Sequence, residues 1–122
     1  MLSKEFLRRV LIRDALVRFS VFTGLGLAFF TAGFMVWRGW GWQDREVVAL
    51  HYNIYFGIDL VGPWQGIFLP AVIGLAAFLL NLLGILLLYD RKRILAYLLA
   101  GGTVFLQALL LVASIFIVLL NI

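Results

Sequence analysis

The stretch Ile67–Leu120 reads IFLPAVIGLAAFLLNLLGILLLY, then DRKR at residues 90–93, then ILAYLLAGGTVFLQALLLVASIFIVLL. Each apolar run reaches the roughly 20 residues that a helix needs to cross a hydrocarbon core about 30 Å thick. Neither run carries a charge. Hydrocarbon offers no hydrogen-bond partners, so each run must satisfy its own backbone, and a helix does this. Asp90–Arg93 is too short for anything but an antiparallel turn, so the two helices form a hairpin.

Upstream, Ala15–Trp37 is a third apolar run, and its one charge, Arg18, is close enough to the start to snorkel back toward the headgroups. It is too long for a signal-peptide core and lacks a small-x-small cleavage site, so it reads as a retained anchor. The expected fold is an all-α integral membrane protein with three spans. Its segments are residues 1–14 (cytoplasmic, amphipathic), 15–37 (first span), 38–66 (outer loop), 67–89 (second span), 90–93 (cytoplasmic loop) and 94–120 (third span). Composition agrees: of 122 residues, 65% are hydrophobic and 13% charged, and mean hydropathy is +1.10. A soluble domain is about 45–50% apolar and about 25% charged. Cysteine is absent, which excludes disulfides and thiolate chemistry.

Charge sets the expected orientation. Lys4, Arg8, Arg9, Arg13 and Arg18 precede or edge the first span, and Arg91, Lys92 and Arg93 join the other two. Short basic segments stay cytoplasmic, so the N-terminus is inside and the C-terminus outside. Trp37, Trp40, Trp42 and Trp64 then fall at the outer interface, where amphipathic rings are favoured. The net charge of +4 brackets apolar segments, which points to anionic lipid and away from nucleic acid. Arg8, Arg9, Arg13, Arg18, Arg91, Lys92 and Arg93 are the candidate headgroup contacts. The segment Ser3–Arg18 has apolar residues at helical steps, with Ser3 as N-cap. It reads as a continuous extension of the first span, because no Pro or Gly interrupts it before Gly24; an interfacial helix is the alternative.

Helix association in lipid relies on small and polar residues. The first span has Gly24, Ala28 and Ala32 at four-residue steps, a face expected to join copies of the chain or a larger membrane partner. The second has Ala71, Gly74, Ala77, Asn81, Gly84 and Leu88; the third has Ala96, Ala100, Thr103, Gln107, Leu110, Ser114 and Ile117. Both alternate steps of three and four, the period of a left-handed seam. Counted from the short loop, Asn81 lies level with Thr103, with Gln107 a turn higher, so Asn81 is expected to hydrogen-bond one of them. The same polar residues would line a pore if several copies assembled. No membrane-embedded acid, Lys or His is present for a proton relay in the second or third span.

The outer loop reads WRGWGWQDREVVALHYNIYFGIDLVGPW from Trp37 to Trp64. Val47–Phe56 is rich in β-branched and aromatic residues, and Gly57 and Gly62-Pro63 are turn signals, so a short strand or hairpin is expected on the helix ends. Alternation would turn His51, Asn53 and Tyr55 one way and Leu50, Tyr52, Ile54 and Phe56 the other. His51 could join Asp44, Glu46 or Asp59 in an acid–base or metal site. One histidine among scattered carboxylates weighs instead toward His51 and Asn53 bonding the loop's own backbone. No metal, cofactor or catalytic residue is assigned.

Leu50-His51-Tyr52-Asn53, then Gly57 and Asp59, just ahead of a membrane span, resembles a family of small bacterial membrane proteins of unknown function. That family carries Pro-x-His-(Trp/Tyr/Phe)-Asn followed by Gly and Asp, and includes immunity proteins of the sporulation-delay toxin system. The chain is also similar to three-span proteins of candidate-phyla bacteria. Ala49 stands where the family often has proline, and the immunity members are longer. The resemblance implies His51, Tyr52, Asn53, Gly57 and Asp59 as a motif and the bacterial inner membrane as the location, and it transfers no activity. The functional expectation is a non-enzymatic scaffold or interaction protein in a homo-oligomer or larger membrane complex. The alternatives are an oligomeric channel or transporter, and an outer-loop receptor of the immunity type.

Overall fold

The computed structural model describes residues 3–53 and 57–121, leaving aside the side chains of Tyr52, Asn53, Asp59 and Leu60. In chain order these are α1 (Lys4–Arg8), one π-helical turn (Arg9–Arg13), α2 (Ala15–Gly39), a 3-10 turn (Trp40–Trp42), β1 (Val48–Asn53), β2 (Gly57–Gly62), a second 3-10 turn (Trp64–Phe68), α3 (Leu69–Leu88) and α4 (Arg93–Leu120). The protein is all-α apart from the two-stranded hairpin, and three of its helical stretches are long and apolar enough to cross a membrane. Pro70 sits in the first turn of α3, where its missing N–H costs no intrahelical bond.

α4 packs along both α2 and α3, which meet each other over a shorter length. Two apolar clusters close the bundle. One, near the short α3–α4 turn, gathers Val10, Val17, Val21, Ile85, Tyr89 and Ala96. The other, at the opposite end, gathers Met35, Trp42, Val48, Ile67, Ile117 and Val118. The outward faces are apolar: Phe19, Phe29, Leu80, Leu98 and Phe105 are each at least 60% exposed. Such residues are at ease facing lipid tails, and the helix contacts rest on close approach and polar bonds.

The N-terminal segment departs from the continuous helix that the sequence suggests. The backbone leaves helical geometry at Asp14 (φ −81°, ψ 111°). The Asp14 carboxylate then accepts hydrogen bonds from the Leu16 and Val17 N–H groups at 3.1 and 3.2 Å and starts α2 afresh. Neither Pro nor Gly is needed, because an aspartate N-cap stabilises this break itself. Arg18 reaches back to donate to the Ile12 carbonyl at 3.1 Å, one of the orphaned acceptors at the end of the π turn.

The Gly24–Ala32 face also differs from expectation. Gly24 and Ala28 are buried within the monomer, and a Cβ on Gly24 would stand 2.8 Å from the Thr103 methyl. This close approach seats α2 on α4, so Gly24 and Ala28 are used inside the chain, while Ala32 stays half-buried. The period-seven seams of α3 and α4 accommodate this because α4 is buried toward both neighbours: Ala96, Ala100, Thr103, Gln107, Ser114 and Ile117 are all at most 5% exposed.

Candidate functional site

The polar seam lies mid-bundle. Asn81 Nδ2 donates to Thr103 Oγ1 at 3.1 Å, one of the two pairings expected from counting levels. Thr103 Oγ1 donates in turn to the Leu99 carbonyl at 2.8 Å, and Ser114 Oγ to the Leu110 carbonyl at 2.9 Å. Gln107 Nε2 donates to the Gly74 carbonyl at 2.8 Å, while Gln107 Oε1 is buried without a protein hydrogen-bond partner. Gly74 lacks a Cβ that would stand 2.9 Å from that oxygen, so glycine is what admits the amide between α3 and α4. Ala77 is half-buried on the same side of α3. Thr103, Gln107 and Ser114 are at most 2% exposed. They are structural bonds inside one chain, and a pore lined by these three residues is not what the geometry provides.

The Trp37–Trp64 loop forms the expected hairpin with a departure in register. His51 pairs with Leu60 and Tyr52 with Ile58, which leaves Leu50 and Asp59 as opposed bulges. Gly57 turns the chain into β2 with φ +77°, a conformation glycine adopts without strain. Leu50 is half-buried over the bare faces of Gly62 and Gly66, and His51 is exposed, so these two neighbours do point apart. Val48 and Ala49 are both buried, against strict alternation, because Val48 enters the outer apolar cluster while Ala49 meets α4. The side chains of Tyr52, Asn53 and Asp59, and all of Ile54, Tyr55 and Phe56, lie outside the described residues. Among the described residues no three acidic or histidine side chains converge as a metal site.

Asn121, just past α4, holds the hairpin. Its amide accepts from the Ala49 N–H at 2.8 Å and donates to the Ala49 carbonyl at 2.7 Å. It thus imitates a neighbouring strand and closes the outer edge of β1. The same Nδ2 donates to the Ile117 carbonyl at 2.8 Å, and Arg45, stacked on Trp42, donates to the Asn121 carbonyl at 2.7 Å. An Asn directly after the last apolar residue of a helix is a C-terminal signal legible in sequence; its strand-like use is not. Asn121→Leu is expected to free the hairpin while leaving the helices intact. Amide exchange at Ala49 should accelerate at least ten-fold, with unchanged helical circular dichroism.

At the other end Asp14 binds three elements together. Beyond capping α2, its Oδ2 accepts from Tyr89 Oη at 2.5 Å and Tyr97 Oη at 2.7 Å, from the end of α3 and the first turns of α4. Burial raises the carboxyl, yet the two phenols and two backbone N–H groups outweigh it and hold Asp14 below the usual 3.8. Phe6 meets Tyr89 edge-on at 6.5 Å, and Val10 is fully buried beside them. Arg9 grips Asp90 through both carboxylate oxygens at 3.0 and 2.8 Å, and the Arg93 guanidinium stacks 3.8 Å from the Tyr89 ring centre. The Arg9–Asp90 pair is half-exposed, which limits it to about 0.2–1 kcal/mol. Of the seven expected lipid-binding cations, Arg9 and Arg93 are therefore engaged with Asp90, Arg18 serves the Ile12 carbonyl, and Arg8, Arg13, Arg91 and Lys92 are exposed.

No protein-family model, curated protein or solved structure matches the chain. The chemistry therefore rests on the side chains themselves. They supply a hydrogen-bonded cluster at each end of the bundle and a buried polar seam between α3 and α4.

Proposed function

We propose that the chain is a small interaction protein of the bacterial inner membrane, N-terminus inside and C-terminus outside, which joins a homo-oligomer or larger membrane complex through its outer hairpin. The observation that carries this reading is the asymmetry of the hairpin's edges. Asn121 closes β1, whereas among the described residues β2 pairs only with β1. Ile58 and Val61 on β2 are 49% and 58% exposed. An open strand edge with apolar side chains takes up another strand readily, and Ile58 and Val61 lie on either side of the bulge at Asp59 that interrupts this edge. The basic residues clustered at the end of the bundle opposite the hairpin support the orientation.

Ala49 turns its backbone N–H and carbonyl to Asn121, so its cross-strand neighbour Val61 turns its own outward from the sheet. Val61→Pro therefore removes an outward donor while sparing the hairpin's own ladder. Native mass spectrometry from lipid nanodiscs should show the wild-type chain in a defined assembly that Val61→Pro dissociates at least ten-fold. An assembly indifferent to Val61→Pro defeats the reading, and a strictly monomeric wild type defeats its homo-oligomeric form.

A further inference from the structure

The break at Asp14 turns α1 and the π turn back against the bundle, and two adjoining concavities lie along this segment, one on its own surface and one in the elbow against α2. One is polar, about 380 Å³, with Arg8, Arg9 and Arg13 in its lining together with Ser3. The other is mainly apolar, about 590 Å³, walled by Leu7, Leu11, Ile12 and the α2 residue Phe22, with Lys4 at its rim. Arg8 and Glu5 line both, so the cationic hollow opens directly beside the apolar groove. Phe22 is eight residues beyond Asp14, which places it about 12 Å along α2 from the elbow. The groove thus runs from the end of the span, where the cations gather, toward the hydrocarbon.

We propose that this elbow is a binding site for one anionic phospholipid of the adjacent leaflet, its phosphate held by Arg8 and Arg13 and an acyl chain laid along Leu7, Leu11, Ile12 and Phe22. Charge complementarity argues for that occupant. Lys4, Arg8, Arg9 and Arg13 face the two concavities against the single carboxylate of Glu5. Arg9 is already committed to Asp90, which fixes the floor and leaves Arg8 and Arg13 exposed for a ligand. A guanidinium fork matches phosphate oxygens in pairs. A free phosphate would use only the polar hollow, and a zwitterionic lipid would bring its own cation among the arginines. An anionic phospholipid satisfies both compartments at once.

The site differs from a general attraction of basic residues to an acidic leaflet, because Arg91 and Lys92 belong to the same end of the bundle and line neither concavity. The test is native mass spectrometry of the full chain in detergent, titrated with phosphatidylglycerol or phosphatidylcholine. Wild type should retain one phosphatidylglycerol, saturably, with phosphatidylcholine bound at least ten-fold more weakly. Each cation removed from the site should weaken binding about five-fold, so Arg8→Gln/Arg13→Gln should lose about 25-fold. Arg91→Gln/Lys92→Gln, with the same change in net charge, should lose less than about three-fold. Phe22→Ala should weaken retention of long-chain lipid while sparing a short-chain analogue, and inorganic phosphate should not compete. Equal losses from the two double variants, or no preference for the anionic lipid, would overturn the site. Unchanged helical circular dichroism and thermal midpoint in each variant separate loss of binding from loss of fold.

Discussion

Asp14→Ala is expected to lower the stability of the bundle by about 3 kcal/mol, measured by denaturant or thermal unfolding in detergent micelles. Losing the N-cap of α2 accounts for about 1 kcal/mol. The larger part comes from the tyrosines, since a polar group left buried without its partner costs about 1–3 kcal/mol. Tyr89 is only 3% exposed, and both its hydroxyl and that of Tyr97 donate to Asp14 Oδ2. Removing one orphan should recover part of the loss, so Asp14→Ala/Tyr97→Phe should be less destabilised than the sum of its single variants. Additive effects would show that the three groups do not act as one unit. Acid should act in the same direction. The native carboxyl lies below its ordinary 3.8, so its contribution is complete above that value and is lost as pH falls through the lowered native one. Asp14→Asn keeps the cap and should be less acid-sensitive in this range.

Gly24→Ala is expected to cost about 1–3 kcal/mol, the usual penalty for overpacking. The new Cβ would stand 2.8 Å from the Thr103 methyl. Thr103 cannot easily yield: its side chain is β-branched, and its hydroxyl is held by Leu99 and Asn81 at 2.8 and 3.1 Å. α2 must move away from α4, or the Asn81 bond must break. Gly26 and Gly33 on the same helix have no atom within 4 Å of a built Cβ. Gly26→Ala and Gly33→Ala should therefore stabilise by about 0.5–1 kcal/mol through helix propensity, the opposite sign from the same chemical change. Thr103→Ser deletes the obstructing methyl and keeps the hydroxyl, so it should rescue Gly24→Ala. Failure of that rescue would show that the contact does not set the helix separation.

The three spans, their hairpin turn and the seam period were legible because hydrophobic length and spacing are local properties of the chain. The Asn81–Thr103 bond was legible for a related reason: with so short a turn, helical rise alone fixes which residues stand at one level. The hairpin was visible in its β-branched run and glycine turns, but its paired bulges were not, since register depends on what lies beneath each strand.

The destination of each packing face was decided only by the tertiary structure. Gly24–Ala32 reads equally well as an outward face or an inward one, and the third helix settles the matter by placing Thr103 against Gly24. The sequence suggests a helix running straight through Asp14; the break and cap there appear only in the structure, and the two phenols that make it a latch come from positions 75 and 83 residues away. Asn121 lies 72 residues from the strand edge it closes. A span needs only its own residues to satisfy its backbone in lipid, so sequence alone determines it. A polar side chain at the end of a span needs a partner from another element, and which partner arrives there is set by how three helices close on one another.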